Sequence, residues 1–294
     1  MEIASDHLSL LQKVKAYMEL LKFRLTLLVV FSGAIGYMLG LKSNIVASHF
    51  IVFLLGGFFI TGGANIINQI IEIDLDKLMS RTMSRPLPTG RVSKFEATIF
   101  AVLLIVLGSF LLVAYINVLC CLATLFSAFL YAFVYTPLKQ KSSIAVLVGA
   151  VPGALPPLIG WIAATGVINI EGSLLFFIQF IWQFPHFWAI AWVLDDDYKK
   201  AGFKLLPFGG KKDINTALQI MIYTLMLIPL GLIPTKLGLT GLNSGIIATV
   251  CGVIFLMQTF YLMKECTNKA ARIIMFGSFL YLPIVQIAFV WDKL

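Results

Sequence analysis

Residues 97–138 read ATIFAVLLIVLGSFLLVAYINVLCCLATLFSAFLYAFVYTPL and contain no Asp, Glu, Lys or Arg. A helix crosses the hydrocarbon core of a bilayer with about 20 apolar residues, so this run is long enough for two helices. Asn117 provides a polar break near its middle. Transmembrane β-strands need a strict alternation of apolar and polar residues, which the run lacks. The stretch therefore predicts two consecutive membrane-spanning helices.

The rest of the chain repeats this pattern. Of its 294 residues, 60% are hydrophobic and 12% are charged, whereas soluble domains carry roughly 25% charged residues. This composition excludes a soluble enzyme, a disordered protein and a fibrous one. Seven further charge-free runs fit one span each: 25–41, 43–71, 142–170, 172–194, 214–235, 237–263 and 273–291. We predict an all-α polytopic membrane protein of nine transmembrane helices, forming one domain over residues 1–294 with an N-terminal tail at 1–19.

The basic residues predict the orientation of these helices. With the N-terminus in the cytoplasm, 19 of the 22 Lys and Arg residues fall on the cytoplasmic side, and only Lys42, Lys236 and Lys293 lie opposite. The net charge of +8 therefore reflects membrane topology and indicates no nucleic-acid partner. The first 24 residues resemble neither a signal peptide nor a transit peptide, which favours the inner membrane of a bacterium. The four cysteines lack ligand spacing and are predicted to be packing residues.

An acidic cluster ends the second span. Residues 68–93 read NQIIEIDLDKLMSRTMSRPLPTGRVS, in which Asn68, Glu72 and Asp76 are four residues apart and share one helical face. Oxygen ligands of this kind suit Mg²⁺, which binds through one or two carboxylates together with substrate phosphates. Basic side chains follow at Lys77, Arg81, Arg85 and Arg91. The cluster predicts a metal–diphosphate site, although solvated caps at the membrane interface are the alternative for any one of these residues.

A second polar cluster lies in and after the sixth span. Residues 182–200 read WQFPHFWAIAWVLDDDYKK and end in three consecutive acids followed by Tyr198 and Lys199. Two acid-rich helix ends on one membrane face would share metal ions and one diphosphate, while the alternative is a solvated charge run. His186 lies on one face with Gln179 and Gln183, and is either a substrate contact or a hydrogen-bonded structural residue. The tryptophans beside it would suit a planar aromatic or macrocyclic substrate.

Two other segments add to this membrane face. The fourth span ends with Tyr135 and Lys139. The fifth begins GAVPGALPPLIGW at residues 149–161, whose glycines and prolines allow either a close approach of helices or a broken helix.

These motifs resemble the UbiA superfamily of intramembrane prenyltransferases over roughly residues 20–290. The first motif of that superfamily, N-D-x-x-D-x-x-x-D followed by R-T-x-x-R-P-L, is matched at Asn68, Asp76, Arg81, Thr82, Arg85 and Pro86. The chain departs from the motif at Gln69 and Glu72. The segments YTPLKQKSS, GAVPGALPPLIGW and WQFPHF with DDDYKKAGFKLLP are similar to the branch that prenylates haem. Lys199 stands where quinone-making relatives carry an acid.

The resemblance implies a helical bundle around a central cavity open to the cytoplasmic side, and transfer of farnesyl from farnesyl diphosphate to a vinyl group of haem B, giving haem O. Mg²⁺ is the implied cofactor, and haem B is a substrate. The expected catalytic residues are Asn68, Glu72, Asp76, Arg81 and Arg85. The expected substrate-binding residues are Arg24, Lys77, Tyr135, Lys139, Trp182, Gln183, His186, Tyr198 and Lys199. The expected metal ligands are Asn68, Glu72, Asp76, Asp196 and Asp197.

Three alternatives remain open on the sequence. A prenyltransferase of a small aromatic quinone precursor would share the diphosphate site. A secondary transporter would also use broken helices, but it carries its charges near the midplane of the bilayer, and both acidic clusters here lie at one membrane face. A structural assembly subunit would leave the clusters unexplained. Besides the lipid bilayer and the two substrates, a haem A synthase or oxidase assembly proteins are the partners that would receive the product.

Overall fold

The computed structural model describes residues 9–42, 45–207 and 209–294. Its helices are α1 (Leu10–Leu20), α2 (Phe23–Gly40), α3 (Ala47–Ile71), α4 (Ile73–Asp76), α5 (Lys94–Tyr115), α6 (Val118–Phe129), α7 (Thr136–Leu138), α8 (Ala145–Thr165), α9 (Ile170–Val193), α10 (Asp195–Lys200), α11 (Ile214–Lys236), α12 (Leu242–Glu265) and α13 (Asn268–Trp291). A π-helical segment, Leu130–Tyr135, joins α6 to α7. Within the described residues, nine helices are long and apolar enough to cross a membrane, which confirms the predicted number of spans.

The 42-residue run divides where the sequence predicts. Helix α5 ends at Tyr115, and Asn117 caps α6 by accepting a 2.7 Å hydrogen bond from the backbone N–H of Cys120. The Asn117 amide also donates to the carbonyl of Ile162 on α8. The cap satisfies one of the backbone N–H groups that the first turn of a helix leaves without an intrahelical partner. This one residue therefore ends one span, starts the next and ties the turn to a third.

Helices α2 and α8 pack against each other with their backbones in contact. A Cβ atom added to Gly36 would lie 1.8 Å from the carbonyl oxygen of Pro157, and one added to Gly160 would lie 1.9 Å from that of Gly33. Only glycine fits at such a contact. Helix α8 remains continuous through its three prolines. Of the two structures that the Gly- and Pro-rich segment allowed, close approach is the one observed.

The N-terminal region contains a helix that the sequence analysis did not predict. Residues 1–8 of the predicted tail lie outside the described residues, but residues 10–20 form α1, which begins with a capping box at Ser9. Lys13 of α1 pairs with Glu96 at 2.8 Å, and Glu19 pairs with Arg91 at 2.7 Å. The buried Ala16 and Leu20 of α1 pack in one apolar cluster with Ala97 and Ala101 of α5, and the partly exposed ion pairs lie at the edge of this contact.

A central cavity of about 600 Å³ lies among α2, α3, α6, α8, α9 and α13. Outward-facing residues of the bundle are large and apolar, as on α5, where Val102, Leu103 and Val106 are more than half exposed and would contact lipid. Charged side chains line one end of the cavity and aromatic side chains line another part of its wall. The predicted all-α bundle around a central cavity is therefore the observed architecture.

Candidate active site

The acidic end of α3 brings three oxygen-bearing side chains together. Helix α3 ends at Ile71 and α4 starts at Ile73, but backbone hydrogen bonds from Glu72 to Asn68 and from Asp76 to Glu72 preserve the four-residue spacing across the break. The Asn68 amide donates to Glu72 Oε2 at 2.9 Å. All three side chains are buried. The structure thus unites Asn68, Glu72 and Asp76 on one face at the charged end of the cavity.

Each of these three residues is held by a cation. Arg85 donates to both carboxylate oxygens of Asp76, at 2.9 and 2.7 Å. Lys139 forms an ion pair with Glu72, and the Lys22 ammonium donates to Asn68 Oδ1 at 2.8 Å. Buried charges are tolerated only when they are paired in this way. The two acids are therefore neutralised by Arg85 and Lys139, and the neutral Asn68 accepts from a third cation, Lys22.

Positive charge exceeds negative charge at this end. Among the described residues that line the cavity, four are cationic (Lys22, Arg81, Arg85 and Lys139) and two are anionic (Glu72 and Asp76). Burial, reinforced by the charges of Arg85 and Lys139, lowers the pKa of Lys22 to about 7. Burial also lowers the pKa of Lys139. An anion bound here would relieve this repulsion, so the site is suited to a multiply charged anion such as a diphosphate.

The π-helical segment supplies the wall beside this cluster. It stacks Tyr131 and Tyr135 with ring centroids 5.9 Å apart, and the Tyr131 hydroxyl donates to Asn68 Oδ1 at 3.3 Å. The Lys139 ammonium lies 5.1 Å from the centre of the Tyr135 ring, within cation–π range. Such single π-helical turns are frequent at functional sites. Here the turn places two aromatic residues and the start of the Lys139 loop at the edge of the acidic face.

The second acidic cluster does not line the cavity. Asp195 pairs with Lys199 at 2.7 Å, and the Asp196 side chain is 83% exposed. Asp197 accepts hydrogen bonds from the backbone N–H groups of Ser80 and Arg81, at 2.9 and 3.3 Å, and from Lys200. Although burial raises the pKa of Asp197, the bonds from Ser80, Lys200 and Arg81 outweigh it and lower that pKa to about 2.

This arrangement differs from the prediction that Asp196 and Asp197 share a metal with the first cluster. The chain turns after Leu194, so the acids of α10 face the loop after α4 and nearby lysines instead of the cavity. Among the described residues, no group of three or more His, Cys, Asp or Glu side chains is arranged to hold a metal. Asp197 instead fixes the loop that carries Arg81.

The remaining predicted residues divide between the cavity and the surface. Those that line the cavity are Arg81, Arg85, Tyr135, Lys139, Trp182, Gln183, His186 and Tyr198. Three predicted substrate contacts lie elsewhere: Arg24 is exposed, Lys77 pairs with Asp74 at 2.8 Å, and Lys199 pairs with Asp195. Arg24 lies in the first turn of α2, which begins at Phe23 directly after Lys22 in a left-handed conformation (φ 47°).

The aromatic wall is built from α9 and α13. His186 stacks on Trp182 with ring centroids 4.4 Å apart, and its Nδ1 lies 2.9 Å from the hydroxyl oxygen of Ser278. Phe187 and Phe279 complete the surroundings of the imidazole, at 5.6 and 5.2 Å between centroids. This part of the cavity therefore presents flat apolar surfaces around one imidazole.

Sequence reasoning missed several polar residues of the cavity. Lys22 is, in the sequence, one of 19 basic residues on the predicted cytoplasmic side, and nothing in its spacing distinguishes it from the others. Gln286 donates to Gln179 Oε1 at 2.8 Å and accepts from Ser32 at 3.2 Å, deep among apolar helices. A signal for Gln286 existed, since a polar side chain inside an apolar span is a candidate functional residue by default.

Comparison with known proteins identifies the family. The profile of the UbiA prenyltransferase family matches residues 29–282. A protein of Cytophaga hutchinsonii named protoheme IX farnesyltransferase is 54% identical over 280 residues, covering 95% of this chain and 98% of that protein. A protein of the same name from Flavobacterium johnsoniae is 44% identical, covering 100% of this chain and 99% of that protein. The chain belongs to the UbiA prenyltransferase family. It is a multi-pass membrane protein and a prenyltransferase.

Solved structures of UbiA proteins share the fold. One described as digeranylgeranylglyceryl phosphate synthase superposes with a TM-score of 0.79 at 22% identity, covering 95% of this chain and 98% of that chain. A UbiA homolog from Archaeoglobus fulgidus, bound to GPP and Mg²⁺, superposes with a TM-score of 0.65 at 18% identity, covering 93% and 99%. At these identities the likeness establishes the fold, and it agrees with the predicted bundle.

Gln69 explains one departure from the UbiA motif. Its side-chain amide donates to the carbonyl of Leu20 at 2.7 Å and to that of Asn65 at 3.1 Å. Gln69 is buried and does not line the cavity. An amide can donate to these two carbonyls, whereas a carboxylate cannot. In this UbiA protein the residue therefore supports the turn between α1 and α2, next to Lys22, and takes no part in the charged face.

Proposed function

We propose that this UbiA enzyme transfers the farnesyl group of farnesyl diphosphate to a vinyl group of haem B, giving haem O and diphosphate. The observation that carries the proposal is a single cavity with a cationic end and an aromatic wall around His186. A diphosphate and an apolar macrocycle need these two kinds of surface. The relatives named protoheme IX farnesyltransferase align with this chain over nearly their whole length, which supports the choice of haem as acceptor.

At the charged end, the chain's own cations are the groups that bind the diphosphate. Arg85 donates from Nη1 to both carboxylate oxygens of Asp76, and a guanidinium makes charge-assisted hydrogen bonds of the same kind to a phosphate. Arg81, Lys22 and Lys139 lie on the same cavity wall. Preorganised cations of this kind stabilise the charge that develops on a departing group. We assign these four residues to the diphosphate.

The donor set at the charged end fits Mg²⁺. Asn68, Glu72 and Asp76 offer the amide and carboxylate oxygens that this ion prefers, and they lie next to the cations that would hold the diphosphate. These three residues would hold the ion, and Mg²⁺ would supply further neutralisation of the leaving diphosphate. The presence of GPP and Mg²⁺ in a solved UbiA homolog supports this assignment. Asp196 and Asp197 are not part of it, because they point away from the cavity.

The apolar part of the cavity suits the farnesyl chain and the porphyrin. An allylic cation must be shielded from premature reaction with water, and the walls around Val29, Phe53 and Ile60 are hydrocarbon and aromatic. Trp182 and Phe279 provide flat faces near His186. Water then adds the hydroxyl group only after the new carbon–carbon bond has formed at the vinyl group.

We further propose a location in the inner membrane of a bacterium with the N-terminus in the cytoplasm. The distribution of Lys and Arg supports this orientation, with 19 of 22 on one side. Farnesyl diphosphate would then reach the charged end from the cytoplasm. Haem O would leave toward a haem A synthase or an oxidase assembly protein within the same bilayer.

The decisive experiment is product analysis with purified protein. The protein is incubated with haem B, farnesyl diphosphate and Mg²⁺, and the molecular mass of the extracted pigment is measured by mass spectrometry. We expect the mass of haem B plus a farnesyl group plus a hydroxyl group. A parallel reaction replaces haem B with a small aromatic acid. Prenylation of that acid, with haem B unchanged, would identify a quinone-type prenyltransferase and refute the proposal.

A further inference from the structure

Ser278 on α13 holds two residues of α9 at once. Its backbone carbonyl accepts a hydrogen bond from the indole N–H of Trp182 at 3.1 Å. Its hydroxyl oxygen lies 2.9 Å from His186 Nδ1 and 2.6 Å from the carbonyl oxygen of Met275. The side chain is fully buried. One serine therefore fixes both members of the stacked Trp182–His186 pair.

These contacts determine where the proton of the imidazole lies. A carbonyl oxygen has no proton to give, so the 2.6 Å contact with Met275 requires the Ser278 hydroxyl to donate to it. A serine has only one such proton, and its oxygen must then accept from His186. Nδ1 therefore carries a hydrogen, and Nε2 of the neutral ring carries a free lone pair.

The surroundings of Nε2 favour a metal over a carboxylate. Among the described residues, no hydrogen bond to Nε2 is formed, and His186 lines the cavity. Its neighbours are the rings of Trp182, Phe187 and Phe279. A lone pair cannot donate to the propionate of a haem, and these aromatic neighbours offer a propionate no cation. A lone pair on a neutral imidazole is, by contrast, the usual ligand for haem iron.

We propose that His186 Nε2 is the axial ligand of the haem iron in the substrate complex, and that Ser278 is the positioning residue that fixes its tautomer and direction. This inference rests on the proposed function, since it takes haem as the substrate. Ligation would fix the porphyrin plane in the cavity, and a fixed plane keeps the reacting vinyl group in one orientation. Trp182 prevents the imidazole from turning, because its indole is stacked on the ring and bonded to the same serine.

The test is a titration of purified protein with haem B and, separately, with iron-free protoporphyrin IX, both without farnesyl diphosphate or Mg²⁺. We expect the wild type to bind haem more tightly than the iron-free porphyrin and to give the absorption and resonance Raman signature of an imidazole–iron bond. His186→Ala should lose that signature and its preference for haem, and added imidazole should restore the signature. Ser278→Ala should bind haem about 10- to 100-fold more weakly than the wild type, which is the usual effect of removing the hydrogen-bond partner of a metal-ligating histidine. Its affinity for iron-free porphyrin should be unchanged.

Thr259 supplies the matched control. It is also fully buried and its hydroxyl donates to a carbonyl three residues earlier, that of Leu256 at 2.7 Å, but it lies on α12 away from His186. Thr259→Val should leave both titrations unchanged, which separates the loss of a buried hydroxyl from the loss of the histidine's partner. Equal weakening of haem and iron-free porphyrin in Ser278→Ala would overturn the inference.

The outcome also separates this inference from the proposed function. If haem O is formed but wild-type protein shows no imidazole–iron signature, the ligand assignment is wrong and the proposed function stands. If haem neither binds nor reacts while a small aromatic acid is prenylated, the proposed function is wrong, and the inference is wrong with it.

Discussion

The two ends of the cavity differ in how their polar groups are satisfied. At the charged end the acidic face is already paired with protein cations, as in Arg85 with Asp76 and Lys139 with Glu72. At the aromatic wall the key polar atom, His186 Nε2, has no hydrogen-bond partner among the described residues. Buried ions cannot be left unpaired, whereas an imidazole lone pair in a cavity costs far less. The cations at the charged end must therefore exchange some of their bonds to protein acids for bonds to the diphosphate when substrate binds. At the aromatic wall, His186 only has to gain a partner.

This contrast predicts that changes at the charged end reduce catalysis most. We expect Asp76→Asn to lower the rate of diphosphate release about 100- to 1,000-fold, comparable to the removal of one preorganised electrostatic contact. Asparagine retains the size of the side chain, so the Arg85 site keeps its shape while the charge is lost. The measurement is diphosphate release by the membrane-inserted protein. A thermal unfolding curve of each variant checks that it is inserted and folded. Turnover at the wild-type rate would exclude Asp76 from the reaction.

Arg85 offers a direct comparison with a cation outside the cavity. Arg85→Ala should raise the KM for farnesyl diphosphate about 10- to 100-fold, because a charge-assisted bond to a partly buried anion is removed. Arg24→Ala should leave this KM unchanged, since Arg24 is exposed and does not line the cavity. The KM is measured with haem B at saturation. Equal effects of the two substitutions would mean that general positive charge, and not the geometry at Asp76, attracts the diphosphate.

The sequence was informative wherever one helix decides the outcome. Nine spans follow from uninterrupted apolar runs, and the shared face of Asn68 and Glu72 follows from four-residue spacing, which survives even the break between α3 and α4. Asn117 was predictable as a break for the same reason, because it is the one amide side chain in a charge-free run of 42 residues that is too long for a single span.

The residues that sequence reasoning missed depend on contacts between helices. Ser278 is 92 positions from His186, and nothing near either residue in the chain indicates their hydrogen bond. Lys22 reaches Asn68 because a left-handed turn separates α1 from α2. Asp196 and Asp197 resembled metal ligands by composition, but the direction of α10 after Leu194 decides where they point. Tertiary packing set these positions, and spacing alone does not report it.

A substitution in the aromatic wall should change the KM for haem B and leave the KM for farnesyl diphosphate unchanged. Trp182→Phe retains a ring against His186 but loses the N–H bond to the Ser278 carbonyl. A single such bond contributes about 0.5 to 1.5 kcal/mol, so we expect the KM for haem B to rise about 2- to 10-fold and that for farnesyl diphosphate to remain constant. Trp188→Phe is the control, since Trp188 is buried on α9 but does not line the cavity. A parallel rise in both KM values would show that the two ends are not independent.

The smallest effects are expected at the second acidic cluster. Substitutions there should lower the stability of the protein without changing catalysis. Asp197→Asn weakens the hydrogen bonds that hold Ser80 and Arg81, and we expect a loss of about 1 to 2 kcal/mol of stability. Asp196→Asn should change stability by less than about 0.5 kcal/mol, because its side chain is exposed. Neither variant should change the Mg²⁺ concentration needed for half-maximal turnover.

The pH dependence of unfolding gives a second measure of the same bonds. The pKa of Asp197 is lowered to about 2 in the folded protein, so the folded state holds its proton less tightly than the unfolded chain does. Its contribution to stability is therefore complete above the ordinary pKa of an aspartate, about 3.9, and is lost as the pH falls toward 2. Unfolding of the wild type and of Asp197→Asn, followed between pH 6 and pH 2, should converge at the acidic end. Curves that stay parallel over that range would mean that the loop carrying Arg81 is held by something other than this carboxylate, and Arg81 would then lose its link to the second acidic cluster.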